Sequence, residues 1–367
     1  MKERDVSLDA VKGFAILLVL FGHCLVWNNL SATDPYIYDF IKAVQMPLFM
    51  MVSGYLAGLG RKERNLIQTG QLIAKRAAAY LIPFFVWPML LHPTHPLREI
   101  AGILWQLDKG LWFLGTLFIV MVITVIAQFL ASGIVKPQSA GEADGDTKNH
   151  GRGDRKTEAL RLCAFLIILL AAYVLFFMQN RSGNTFLSPN LTLTYLPYYA
   201  AGYVWTAYVK RLELWCVPVR ITKGLWWGAL VVFLCFVIVF DLQKSESLSD
   251  IVLQMAAGMT GCFVCFYGIY RMKEGKMKEA FSKIGVRTLE LYIFQYAMHA
   301  AFVRVRGLGD TQYSLYCAEG VLTVIITFLL MCIVSAAGVF VISKIPVLDA
   351  VLFGHLTQRN KREIRRS

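Results

Sequence analysis

Residues 9–23 read Asp9-Ala10-Val11-Lys12-Gly13-Phe14-Ala15-Ile16-Leu17-Leu18-Val19-Leu20-Phe21-Gly22-His23, and this stretch decides what kind of protein the chain makes. No charged side chain lies between Lys12 and His23, and the apolar run from Phe14 continues to about residue 31. Lipid offers no partner to backbone N–H and C=O groups, so a run of this length crosses a membrane as a helix. At 100° and 1.5 Å per residue, Lys12 and His23 lie on one face, about 16 Å apart along the axis. Asp9 falls one turn from Lys12, where the two charges can pair. An ionisable group inside a span is a functional-site hypothesis by default. Imidazole titrates near neutrality, which suits a general base. The plainer alternative for His23 is a hydrogen bond to a neighbouring helix.

The rest of the chain extends this reading. Of 367 residues, 57% are hydrophobic and 17% charged, and the mean hydropathy is +0.54. Soluble domains carry about 25% charged residues, so too little polar surface is available for a soluble fold. Ten apolar segments stand out, near 14–31, 40–59, 77–92, 111–132, 159–179, 191–209, 224–241, 251–270, 287–303 and 318–343. The first has no clear small-residue cleavage site and is followed by nine more, so it reads as a span and not a cleaved leader.

The net charge of +13 follows topology. Of the 37 Lys and Arg, only Lys42, Arg98, Lys109, Arg181, Lys244, Arg304 and Arg306 fall in one set of alternate loops. The others crowd the opposite set together with both termini, which the positive-inside rule assigns to the cytoplasm. The basic excess therefore calls for no nucleic acid. The fold expected is an all-α integral cell-membrane protein, a polytopic bundle of about ten transmembrane helices with both termini cytoplasmic. One multi-pass domain covers 1–350. It is interrupted at about 136–157 by a loop rich in Gly and charge, read as a disordered cytoplasmic connector. A basic cytoplasmic tail, 351–367, marks topology and suits anionic membrane lipids. Cys262 and Cys265 have CxxC spacing but no second pair, and read as small buried hydrophobes with no metal.

Two other spans carry polar signals. The second contains Gln45-Met46-Pro47-Leu48-Phe49 and Ser53-Gly54-Tyr55. Pro47 removes a helical hydrogen bond, and Ser53 with Gly54 permits close helix approach. In the ninth, Tyr292, Gln295 and His299 share a face at i, i+3 and i+7. Glu290 lies off that face, one turn beyond Arg287, and needs a cation beside it, either Arg287 or Lys12.

These residues resemble the signature of acyltransferase family 3, integral-membrane acyltransferases that include the fucose 4-O-acetylase-like group. The resemblance rests first on Asp9-x-x-Lys12-Gly13, Gly22-His23, Gln45-Met-Pro-Leu-Phe and Ser53-Gly-Tyr55. It continues through Lys75-Arg76 before Leu81-Ile82-Pro83-Phe84, and through Leu111-Trp112-Phe113-Leu114. Tyr195-Leu-Pro197-Tyr198-Tyr199-x-x-Gly202-Tyr203 and Leu289-Glu290-Leu-Tyr292 complete the ordered set. The chain departs from the family pattern where Gln45 and Gln295 stand in place of His and Lys12 in place of Arg. Arg76 is also followed at the family's Arg spacing by Tyr80.

The resemblance implies transfer of an acyl group, usually acetyl from cytoplasmic acetyl-CoA, to a hydroxyl of an extracytoplasmic sugar or glycan. No metal is implied. On that reading His23 is the general base, with Glu290 and Tyr292 in the catalytic set. Lys12, Lys75 and Arg76 meet the acyl-CoA phosphates. Gln45, Ser53, Trp112, Tyr198 and Gln295 contact the acceptor, which is acylated directly or through a separate extracytoplasmic transferase partner. The competing class is a transporter of a sugar-like or lipid-linked substrate, with the two glutamines along its path and His23 as proton relay. A third is a membrane module without catalysis.

Overall fold

The computed structural model describes residues 4–28, 35–107, 110–136, 147–212, 218–242, 248–305 and 317–355. Every regular element among them is helical. Among the described residues eight helices are long and apolar enough to cross a membrane, and the chain is an integral membrane protein. In order they lie in α1 (Val6–Trp27), α2 (Pro35–Leu59), α3 (Leu66–Leu91), α5 (Trp112–Ile134), α6 (Thr147–Arg181), α8 (Val219–Val239), α9 (Leu248–Tyr270) and α12 (Ala318–Lys344). The shorter α4 (Pro96–Trp105), α10 (Lys276–Gly285) and α13 (Pro346–Phe353) connect or follow them. Two other segments read as spans form α7 (Pro189–Val204), continued by a π-helical turn at Trp205–Val209, and α11 (Thr288–Val305). These two fall outside the eight.

Local sequence sets the ends. Asp5 caps α1, its carboxylate accepting from the Ser7 and Leu8 amides at 3.0 and 3.1 Å, which satisfies two of the helix's free N–H groups. Proline opens α7 and α13, where its missing N–H does no harm. Residues 137–146 of the loop expected to be disordered lie outside the described residues, and the charged stretch from Thr147 onward is the start of α6. Of the basic tail, residues 356–367 also lie outside them.

The chain divides into two compact units, one of 1–49, 85–96 and 217–367, the other of 50–84 and 97–216. In the first, α1 lies directly against α10. A methyl group added at Gly13 would collide with the Phe281 carbonyl, and one at Gly285 with the Asp9 carbonyl. The two backbones therefore touch, and Phe14 meets Phe281 edge-on at 6.0 Å beside them. At its other end α1 packs on α12 through Leu20, Cys24, Trp27 and Met331, all buried. Cys262 and Cys265 are buried free thiols, as small hydrophobes would be.

In the second unit the corresponding contact is between α2 and α7. A methyl at Gly54 would strike the Tyr199 carbonyl, and one at Gly202 the Met51 carbonyl. The Thr206 hydroxyl then donates to the Tyr55 carbonyl at 2.8 Å. The π-helical turn widens α7 by one residue per turn and leaves Thr206, Ala207 and Tyr208 buried.

Candidate active site

The residues singled out from sequence divide between the two units. Lys12, His23, Gln45, Glu290, Tyr292 and Gln295 belong to the first, and Ser53, Lys75, Arg76, Trp112 and Tyr198 to the second.

In the first unit Lys12 Nζ pairs with Asp9 Oδ1 at 2.6 Å, as the i, i+3 spacing predicts. Asp9 is 5% exposed and is also paired with Arg4. His23 is half-buried, its ring 5.8 Å from that of Trp27. The Gln45 side chain fills the space Gly22 leaves open: a methyl on Gly22 would sit 2.8 Å from Gln45 Oε1. That oxygen is buried without a hydrogen-bond partner, and so is Oε1 of Gln295. An orphaned buried acceptor costs about 1–3 kcal/mol. Gln45 and Gln295 each carry one such oxygen. Tyr292 and Gln295 are both buried, as sharing a face requires; the His299 side chain lies outside the described residues.

Glu290 feels the Arg287 charge, as expected, but its ring contact is a residue that was not expected. Its partner is His355, whose Nε2 lies 3.8 Å from Glu290 Oε1, while His355 Nδ1 meets Asp349 Oδ1 at 3.0 Å. Arg287 donates its hydrogen bond to the Ser343 hydroxyl at 2.9 Å while its charge still acts on Glu290, and Lys12 is taken by Asp9. The reason is α13. It ends at Gly354 in the left-handed conformation, φ 71°, which favours glycine and turns the chain so that His355 meets both carboxylates. Sequence reading placed His355 in the basic tail; the Asp349…Gly354-His355 pattern was the signal.

In the second unit Ser53 and Arg76 line one cavity of about 210 Å³. Four cations surround it: Arg61, Lys62, Arg64 and Arg76. Its walls carry hydroxyls and an amide from Ser53, Tyr80, Thr124, Gln128, Ser132 and Tyr199. Along α5 the lining runs from Ser132 to Leu117, about 22 Å of helix at 1.5 Å per residue. The cavity is thus elongate, with cations after the end of α2 and the apolar Leu117 and Met121 at the far end of its α5 wall. Gly54 and Gly202 make this shape, since only their close approach seats Ser53 and Tyr199 in one wall.

Arg61 is 5% exposed and held from three sides. Glu158 takes it in a two-point pair at 2.7 and 3.3 Å, the Ala207 carbonyl accepts at 2.9 Å, and Tyr208 lies under it at 4.2 Å. Arg64 donates to backbone carbonyls and Arg76 to the Tyr80 hydroxyl at 3.3 Å. Neither these nor Lys62 has a carboxylate partner among the described residues, so their charge is free for an anion. Of the three residues expected to meet the donor, Arg76 lines this cavity, Lys75 is exposed next to it in sequence, and Lys12 is in a different unit. Arg61 and Arg64 were missed because sequence alone shows them as ordinary positive-inside charge. Trp112 stacks against Tyr195 at 5.2 Å, and Tyr195 lies 6.4 Å from the buried Tyr198. These aromatics form a cluster of their own. Among the described residues no group of His, Cys, Asp or Glu is placed to hold a metal ion.

The second unit thus holds a polar, cation-rimmed cavity, and the first holds a half-buried imidazole and two orphaned amide oxygens. A family model described as an acyltransferase domain matches residues 5–344, and the chain belongs to acyltransferase family 3. It is a membrane O-acyltransferase. The chain is 23% identical over 334 residues to nodulation protein NolL of Mesorhizobium japonicum, covering 80% of this chain and 76% of that protein. A shorter match, 36% over 94 residues and 24% of each chain, is to nodulation protein NolL of Sinorhizobium fredii. No solved structure matches the chain.

Proposed function

We propose that the protein moves an acetyl group from cytoplasmic acetyl-CoA to a hydroxyl of an extracytoplasmic sugar or cell-envelope glycan. It sits in the plasma membrane with about ten spans and both termini in the cytoplasm, an orientation supported by the alternation of Lys and Arg along the chain. The observation that carries the reading is the elongate cavity of the second unit. The donor is a nucleotide with several phosphates at one end and a long, amide-bearing arm ending in the thioester. A cavity that begins with Arg64 and Lys62 after α2 and continues past Arg76 into hydroxyls and apolar side chains matches that order of chemistry. Arg61, already neutralised by Glu158, acts mainly in shaping the wall.

The reaction needs a base for the acceptor hydroxyl, and His23 fills that role. Its ring nitrogen takes the hydroxyl proton as the oxygen attacks the thioester carbonyl. The C–S bond then breaks, the ester C–O bond remains, and the CoA thiolate leaves and is protonated. Gln45, beside Gly22, and Gln295 accept hydrogen bonds from acceptor hydroxyls, which gives their orphaned oxygens partners. Tyr292 supports the developing oxyanion, and Trp112 and Tyr198 offer aromatic surface to a sugar. Glu290, tied to His355, supports the catalytic helix indirectly.

The test is release of CoA by purified protein in liposomes. Wild type should turn acetyl-CoA over, R64A and R76A should raise the donor KM about tenfold or more, and H23A should abolish turnover. Turnover unaffected by H23A would remove His23 from the mechanism. A donor KM unchanged in R64A and R76A would remove the donor from this cavity.

A further inference from the structure

Gln128 lines the same cavity and is 7% exposed. It stands one turn inward of Ser132 on α5, past the cationic end. Its Oε1 accepts from the Tyr208 hydroxyl at 2.8 Å and from the Tyr203 hydroxyl at 3.1 Å. Tyr208 is fully buried and Tyr203 nearly so, and each phenol has a proton that must be placed on an acceptor. The amide oxygen takes both, which fixes the orientation of the amide group. Its NH2 is therefore turned the other way, with one proton on Ser132 Oγ at 2.9 Å. The second N–H has no acceptor among the described residues, on a side chain that lines the cavity.

The orientation is secured by Arg61 in the cavity wall itself and by Tyr208, Glu158, Arg161 and Phe165 behind it. Tyr208 is held under the Arg61 guanidinium, and Arg61 is fixed by Glu158. Glu158 also receives Arg161 at 2.9 Å, and Arg161 is anchored to the Val135 carbonyl at 2.9 Å. Phe165 stacks on Tyr203 at 5.3 Å and packs on Tyr208 at 5.7 Å. One connected set thus runs from Glu158 through Arg61 and Tyr208 to Gln128. It presents an uncharged donor beyond a cluster of cations.

We propose that Gln128 binds an amide carbonyl of the donor's pantetheine arm, with Tyr208 and Glu158 as the positioning residues that aim its N–H. This rests on the reading that the cavity holds the donor. A cationic mouth alone recognises any polyanion. A neutral N–H one step further in recognises the carbonyl that distinguishes the arm of an acyl-CoA from a plain nucleotide.

The experiment is calorimetric binding to full-length protein in detergent of two probes. CoA carries both nucleotide and arm; adenosine 3′,5′-bisphosphate carries nucleotide and phosphates with no arm. Q128L removes the donor, and Q128E keeps the size and the acceptor for both tyrosines while losing the N–H. Both should weaken CoA by about 5- to 10-fold, the worth of one neutral hydrogen bond, and leave the bisphosphate unchanged. Y208F should do the same in smaller measure; E158A, which also frees the Arg61 charge in the cavity wall, should weaken CoA relative to the bisphosphate, and E158D should restore that ratio toward wild type. Equal weakening of both probes in Q128L and Q128E would assign Gln128 a merely structural role and overturn the proposal. So would unchanged CoA binding. The donor-cavity reading fails separately: in that case R64A and R76A leave both probes unaffected, or wild type binds neither.

Discussion

Removing the Glu158 carboxylate should destabilise the second unit far more than deletion of a surface charge would. Glu158 neutralises Arg61, whose side chain is 4% exposed, through two contacts. It also receives Arg161, 6% exposed. In E158A, Arg161 retains Glu63 at 2.8 Å, but Arg61 keeps only the Ala207 carbonyl and the face of Tyr208. Stranding a buried charge costs about 3–5 kcal/mol, whereas an exposed pair is worth about 0–1 kcal/mol. Glu158 itself is 21% exposed, which admits some water to the vacated site, so about 3 kcal/mol is expected. The double variant R61M/E158L replaces both charges with apolar side chains and should recover at least half of that loss. The assay is unfolding in mixed micelles followed by tryptophan fluorescence, with the two single variants and the double forming one cycle. A loss below about 0.5 kcal/mol in E158A, or no recovery in the double variant, would refute the claim that this pair is a buried structural node.

Three other outcomes follow from particular contacts. Gln45→Leu and Gln295→Leu each remove an orphaned buried oxygen, so stability should hold or rise by about 1 kcal/mol while acyl transfer to acceptor falls; equilibrium unfolding and a transfer assay on the same preparations check both halves. His355→Ala leaves Glu290 without its imidazole and should cost about 1–3 kcal/mol, and Glu290→Gln in the same chain should return most of it, as read by the same unfolding titration. Gly202→Leu places side-chain atoms against the Met51 carbonyl, forcing α2 and α7 apart; folded yield by gel filtration should collapse, whereas Gly183→Asn, at a position with open space around it, should leave it intact.

The helices were legible because lipid imposes a simple rule. Charge-free runs such as Phe14–Phe21 have one way to satisfy their backbones, and the Asp9–Lys12 pair follows from helical spacing alone. Ser53 and Arg76 stood out in the sequence because a polar group or a cation in such a helix must have a reason to be there, and both line the cavity of the second unit. What stayed hidden depends on tertiary packing. Arg61 and Glu158 are 97 residues apart, and nothing in either local sequence predicts the pairing. Gln128, in an otherwise apolar helix, gained meaning only when two tyrosines from α7 and its π-helical turn converged on its oxygen. That turn also carries no periodic signal, since it interrupts the period. His355 was hidden by a single glycine, because Gly354 turns a segment that reads as the start of a basic tail back onto Glu290.

The central claim is acyl transfer with His23 as base and acetyl-CoA as donor, and its most direct measurement uses radiolabelled acetyl-CoA. Protein reconstituted in liposomes is given the label on one side only, with a glycan acceptor on the other, comparing wild type with H23A. The account predicts label appearing in acceptor ester with wild type only when the donor is on the side of the N-terminus, and none with H23A. Transfer that persists in H23A, or that proceeds equally with donor on either side of a uniformly oriented preparation, would contradict it.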